Sequence, residues 1–533
     1  MLEPHRSPLG SLTLIAIVIG AGAAAFAYTA GWFSPERLTP TRLVAALAPP
    51  TGPALGHRRN HAKGICFTGV FEANGAGAEL SKAQVFARGQ YPALGRFNLG
   101  TPHPDAADAT VRIRGFGIRI ATPDGKEWRS AMIDAPVFPV STPRGFYELL
   151  IASGSKDPNA MKNFVAAHPE FAPFGDWAKN APWTDSYAED RFNSLNSFVF
   201  VDNAGAEHVV RWSLLPAAQP VSISPDDLAK RGPDFLEQDI AQRVASAPQR
   251  WTMAVTVANP GDPIADPSKA WPTDRRTVEV GTLIVQKIEA EQDGPCREIN
   301  FDPTGPADRH TGIGRSVPGR AVGRLYEVLR PAHGGGQGLP SNCNGHQAMI
   351  RFTPLQRLLH WLMAIGILAM LFIGVGMVST TMPKYLPLVA VHKSLGIAIL
   401  VLALIRLAVR LRYGAPALPA DLPEPMKLAA QLSHYALYAL MIGMPLLGWA
   451  MLSAAAYPVV VFGGIYLPQI LPQSDSLHTW LWDAHFYLAF AFFALVLMHV
   501  AAALFHALIR RDGVFEAMAP VSVSTQDELV PAE

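Results

Sequence analysis

The chain has 533 residues, of which 49% are hydrophobic and 16% charged, and 44 Lys+Arg against 43 Asp+Glu leave a formal net charge of +1. So even a balance excludes the basic face that nucleic-acid binding needs, and the apolar content excludes extended disorder. Cys66, Cys296 and Cys343 have no metal-type spacing, so neither a zinc site nor a disulfide scaffold is expected, and at least one thiol stays unpaired.

In chain order, Leu12 to Ala30 is uncharged, and the apolar stretch from Ser11 to Phe33 is 23 residues long. That is the length of a membrane span. Arg6 precedes it and places the first residues on the cytoplasmic side. Residues 1–34 read as an uncleaved anchor. A cleavable signal is the alternative, because Ala25-Phe26-Ala27 has the small-x-small form.

Residues 35–330 form the soluble part. Strands are expected at Thr110–Thr122, in two alternating runs within Ser197–Leu215 around Asp202-Asn203-Ala204-Gly205, at Trp251–Val257 and at Val278–Ile288. Helices are expected at Pro143–Ala152, Asp157–Ala167 and Ser224–Val244. The fold class is α+β, antiparallel strands with added helices. Residues 331–350, with Gly334-Gly335-Gly336, read as a flexible linker. Met349 opens a stretch that would serve as the start of an independent protein.

Residues 351–520 change in character. Long apolar runs predict four membrane helices around 358–378, 387–409, 431–453 and 484–508, an all-α transmembrane four-helix bundle. Residues 521–533 form a tail. Ligand-type side chains inside spans default to function. His360 opens the first helix, His392 lies early in the second, His434 starts the third, and His485 and His499 share the fourth. The last two stand about 21 Å apart along the axis and project from roughly one face. Alternating helix direction sorts these residues into two pairs, His360/His499 and His392/His485. Bis-imidazole ligation suits an electron-transfer haem. His434 is a fifth candidate on the His360 side, and His506 reads as interfacial.

The stretches RFTPLQRLLHW, VHKSLG, HYALYALMIGMPLLGW and HFYLAFAFFALVLMHVAAALFH resemble the bacterial cytochrome b561 family over about 349–520. The resemblance implies a four-helix, quinol-linked carrier with two b haems. Its ligands fall on His360, His392, His485 and His499.

In the soluble part, His61-Ala62-Lys63-Gly64 with Arg58 three residues earlier resembles the haem catalase family. Gly95-Arg96-Phe97-Asn98, Arg114-Gly115-Phe116, Asp124-Gly125, Ala135-Pro136-Val137-Phe138 and Phe301-Asp302-Pro303 continue the match over about 37–330. That length resembles the small catalase-related peroxidases. The resemblance implies a catalase-like antiparallel β-barrel and a third haem b. His61 would be the base that moves the peroxide proton, and Asn98 would orient the peroxide. Tyr326 would be the anionic iron ligand, and Arg58 and Arg96 would pair the haem propionates. Two positions depart from the pattern. The distal Asn falls at about Ile133, next to Asp134. The Arg four residues before the tyrosine is replaced by Val322, with Arg324 two before. Peroxidase use of an outside reductant is therefore expected over rapid dismutation. Cys66 reads as a small packed hydrophobe.

Together the halves read as a membrane-bound haem peroxidase that reduces hydrogen peroxide with electrons from quinol or another small reductant, passed through the fused cytochrome. Independent peroxidase and carrier domains are one alternative. A degenerate catalase fold that binds or senses haem is another. The expected location is the bacterial inner membrane, multi-pass. The anchor puts the soluble part in the periplasm. Arg351, Arg357, Arg406, Arg410, Arg412, Lys427, Arg510 and Arg511, against Lys384 and Lys393, put both ends of the cytochrome half inside. The two readings conflict, because no further span lies between 331 and 351.

Overall fold

A computed structural model describes residues 8–303 and 351–520, apart from residues 50, 51, 53, 55, 298, 417, 418, 420, 456 and 458. The chain divides into two compact units, Leu38–Gly314 and Met1–Arg37 with Arg315–Glu533. It opens with helix α1 (Pro8–Ala30), which belongs to the second of these.

The soluble unit begins with α2 (Pro40–Ala46), started by Thr39, whose side chain caps the Arg42 amide. Strands β1 (Gly64–Ala73), β2 (Gly89–Leu99), β3 (Arg114–Ala121) and β4 (Glu127–Ile133) follow. Next come α3 (Pro143–Ser153), α4 (Ala160–Ala167) and α5 (Ala172–Asn180). The short strands β5 (Trp183–Thr184) and β6 (Phe192–Asn193) lead to the hairpin β7 (Phe198–Val201) and β8 (Glu207–Pro216). After β9 (Ser222–Ile223), α6 (Pro225–Leu228) and α7 (Phe235–Ser246) come β10 (Gln249–Val257) and β11 (Thr277–Ala290).

Strands in the order β10-β11-β1-β2-β3-β4-β6-β8 pair antiparallel, and β8 pairs back to β10. This closes a barrel and removes its sheet edges. Alternation does the sorting. Phe67, Phe97, Phe116, Phe192, Trp212 and Trp251 point inward and are fully buried, with Phe97 and Phe116 ring centres 5.1 Å apart.

Two sequence expectations need correction. Ser224–Val244 is two helices, because Pro233 has no amide hydrogen to continue one. Its carbonyl instead accepts from the Asp108 amide and from Lys63 Nζ. Cys66 is buried, yet it is bonded to Cys296. The partners lie 230 positions apart, and only the pairing of β1 with β11 brings their neighbourhoods together.

The second unit contains α8 (Pro354–Val378), α9 (Tyr385–Tyr413), α10 (Glu424–Ala454), the hairpin β12 (Val459–Val461) and β13 (Ile465–Leu467), α11 (Asp475–Phe505) and α12 (Val514–Met518). Five helices of the described residues, α1 among them, are long and apolar enough to cross a membrane. Thr353 and Gln356 form a capping box that starts α8. At this end Gln356 Nε2 donates to the Gly414 carbonyl after α9, and Trp361 Nε1 to the Met518 carbonyl.

α1 packs on this bundle as a fifth helix. Phe26 stacks on Phe493 with ring centres 3.9 Å apart and meets Phe372 edge-on. Ser379 Oγ, just past α8, donates to the Thr29 carbonyl. α1 therefore runs parallel to α8. Residue 37 leaves the bundle at one end, and residue 351 enters it at the other.

Candidate functional site

In the soluble unit, one register line crosses four strands: Gly64 opposite Asn98, Asn98 opposite Gly115, Gly115 opposite Ile133. Opposed residues share a face of a sheet, so Asn98 and Ile133 lie on the outer face of the barrel. His61 sits over this line, just before β1. Its backbone is left-handed, with φ 57°, a conformation that costs a non-glycine residue energy and recurs at functional sites. A side chain at position 115 would meet Asn98 Oδ1 at 2.1 Å and His61 Nδ1 at 3.1 Å. Only glycine leaves room there.

His61 Nδ1 and Asn98 Oδ1 are both sealed from solvent, and neither makes a hydrogen bond of good geometry. Burial, then the positive charges of Arg96 and Arg58, lower the His61 pKa to about 4 against an upward pull from the Asn98 amide. The imidazole is therefore neutral at pH 7 and able to take a proton. Burial and the neighbouring Asp190 carboxylate push Asp134 up to about 7. Asp134 Oδ1 accepts from the Arg114 amide.

The next register line on the same face is Cys66, Arg96, Gly117. The segment after β11 covers it. Cys296 is bonded to Cys66, and Phe301 lies over Gly117. Arg58 Nη2 donates to the carbonyls of Cys296, Arg297 and Ile299. Arg96 directs Nε and Nη2 at the Glu291 carboxylate, 2.7 and 2.6 Å away, and Arg58 Nε lies 3.5 Å from the same group. Both arginines expected to hold propionates thus converge on a carboxylate of the chain itself. The propionate role suits Arg96 better, because its Nη1 is not directed at Glu291. Glu291 carried no motif in the sequence, and its position just past the end of a long strand was no signal. Lys63, inside the His61 motif, is an anchor for the loop. It pairs with Asp108 and Asp234, each at 2.7 Å. Tyr326, Val322 and Arg324 lie outside the described residues.

In the bundle, His360 on α8 faces His499 on α11 with ring centres 6.2 Å apart, and His392 on α9 faces His485 on α11 at 6.2 Å. An imidazole nitrogen sits about 2 Å from a first-row metal and its ring centre about 1 Å further, so two axial imidazoles place their centres about 6 Å apart. Both pairs meet that spacing. His392 Nδ1 is buried without a partner. Added side chains at Gly374 and Gly448 would come within 3.3 and 3.2 Å of the His392 and His485 rings, so the helices close on these imidazoles only because glycine is there. His434 stands 5.7 Å from His499, a third imidazole at that end. Among the described residues no group of three or more His, Cys, Asp or Glu would hold a bare metal ion. Paired imidazoles without further ligands suit a porphyrin-bound iron, whose ring supplies the equatorial ligands.

The comparisons agree with this division. The catalase family model matches residues 34–304, and the prokaryotic cytochrome b561 model matches residues 351–520. A catalase-related peroxidase of Synechococcus elongatus is 31% identical over 296 residues, 54% of this chain and 87% of that protein. Cytochrome b561 homolog 2 of Escherichia coli is 30% identical over 171 residues, 32% of this chain and 90% of that protein. A probable superoxide oxidase of Yersinia pestis is 32% identical over 131 residues, 24% of this chain and 73% of that protein. The chain belongs to the catalase family through its soluble unit and to the prokaryotic cytochrome b561 family through its bundle, a haem peroxidase fused to a b-type cytochrome in one membrane protein.

Proposed function

We propose that this protein reduces hydrogen peroxide in the soluble unit with electrons drawn from membrane quinol through two bis-histidine haems. The observation that carries the reading is His61, held in a strained backbone beside Asn98 with its imidazole neutral. A haem bound at this face, with Tyr326 as iron ligand and Arg96 at a propionate, would supply the iron at which the O–O bond is cleaved. His61 Nδ1 is turned toward Gly115 and Asn98. Nε2 is then the nitrogen that takes a proton from one peroxide oxygen and returns it to the other as water leaves. Asn98 orients the peroxide. Ile133, on the same line, offers no hydrogen bond where catalases have an amide, which favours reduction by an outside donor over dismutation. Overall, one peroxide and one quinol give two waters and one quinone.

His360/His499 and His392/His485 are the ligands proposed for the two b haems, and bis-imidazole ligation leaves no open position for peroxide. The likeness to a probable superoxide oxidase makes superoxide a second donor to test. The Cys66–Cys296 bond supports a periplasmic soluble unit, since such bonds persist in oxidising compartments. So does the direction of α1, whose first turn shares an end of the bundle with its eight basic residues.

The test is spectroscopic. Purified protein is reduced with decylubiquinol and then given hydrogen peroxide. Reoxidation of the b haems, lost in His61→Ala, is expected. Haems that stay reduced would leave the halves functionally separate.

A further inference from the structure

The hairpin β12–β13, between α10 and α11, folds back along the bundle. Its base is fastened to α10, where Trp449 Nε1 donates to the Pro468 carbonyl at 2.8 Å and Ser453 Oγ accepts from the Ile470 amide at 3.3 Å. Its tip is fastened to α9, where the Phe462 amide donates to Ser394 Oγ at 2.9 Å. Ser394 lies nine residues into α9 and Trp449 five before the end of α10, about 14 and 8 Å inside the helix ends. Gly448, next to Trp449, lies against the His485 ring, and that ring faces His392, two residues before Ser394. The hairpin is therefore held at the level of the His392/His485 pair.

Burial divides it. Val459 and Val461 of β12 are buried on the bundle, while Phe462, Ile465, Tyr466 and Ile470 are exposed. Phe462 is 59% exposed and has φ 50°, a left-handed conformation that suits glycine. In water such a tip is costly twice, through its backbone and through its ring. No Asp, Glu, Lys or Arg lies between Leu428 and Ser474. Val391 of α9 and Leu446 of α10 are exposed at the same level. Trp480 and Trp482 near the start of α11, and Tyr385 at the start of α9, are exposed at the same end, and these residue types settle at membrane interfaces.

We propose that the uncovered side of β12–β13 is a lipid-binding surface seated at the headgroup–acyl boundary, while its buried side bridges α10 to α9 beside His392/His485. Lipid is the occupant because the surface lies within the length of the apolar helices, carries no charge and shares its level with their exposed apolar side chains. Deeper immersion is excluded. A two-stranded sheet leaves edge amides and carbonyls unpaired, which hydrocarbon cannot satisfy and the hydrated boundary can.

The test uses the full-length protein in phosphatidylcholine/phosphatidylglycerol liposomes. Cys343→Ser removes the unpaired thiol, and Phe462→Cys, Tyr466→Cys and Ile470→Cys are then labelled singly with a nitroxide. Oxygen, which concentrates in lipid, is expected to relax each label more than a water-soluble nickel chelate does, a ratio above one. A ratio below one places the surface in water and overturns the proposal. Protection from both reagents means that protein covers the surface, with spin–spin broadening marking a second copy, and overturns it too. A measurement on the unsubstituted protein guards against misfolded variants. Liposomes containing a phosphatidylcholine with a diazirine at the carbonyl end of its acyl chain are irradiated, and the labelled peptides are mapped. Adducts between Phe462 and Ile470 are expected. Adducts on α9 and α10 with none on the hairpin would overturn the assignment.

Discussion

Glu291→Gln tests whether Glu291 organises the arginines beside His61. Arg96 is 2% exposed, and its two nitrogens lie 2.7 and 2.6 Å from the Glu291 oxygens. Removing one partner of a buried ion pair costs about 3–5 kcal/mol, because the other charge is left uncompensated. Glu291 keeps 19% exposure, and glutamine retains one acceptor oxygen, so about 2–3 kcal/mol is expected. The site joins β2 to the residue after β11, with β1 between them. Hydrogen-exchange protection of β1 and β2 amides in the intact protein should therefore fall about 30-fold to 160-fold. Arg96→Met combined with Glu291→Leu should lose less than Glu291→Gln alone, since no buried charge remains unpaired. Parent-like exchange in Glu291→Gln would refute the reasoning.

Further expectations follow from single observations. Because the folded His61 pKa is about 4 against 6.5 in the unfolded chain, the neutral form favours folding above pH 6.5, and this contribution is lost as pH falls from 6.5 to 4. The rate of reaction with peroxide should stay level down to about pH 5 and drop with a midpoint near 4; a midpoint near 6.5 would contradict a buried base. Gly448→Leu should remove one b haem and leave the other, counted by haemochrome, because the added side chain meets the His485 ring. Thiol labelling of unfolded, unreduced protein should find one reactive cysteine, Cys343. Three would rule out the Cys66–Cys296 bond, whose closed loop is worth at most about 5 kcal/mol.

Much of this was legible in the residues themselves. Local signals carried the β7–β8 hairpin, β10, β11 and the four long apolar helices, because period and turn chemistry are properties of neighbouring residues. The histidine pairs followed from helix rise and alternating direction, which are also local rules. The catalase-like motif around His61 needed only its order along the chain. What lay beyond the sequence was every contact between distant segments. The Cys66–Cys296 bond, the capture of Arg58 and Arg96 by Glu291, and the space Gly115 leaves for His61 and Asn98 depend on strand register, which closure of the barrel sets. α1 read alone is an anchor or a signal. Its direction against α11 was decided by packing of Phe26 among Phe372, Phe490 and Phe493. Local sequence specifies elements and their apolar faces, and only the folded chain selects which face meets which.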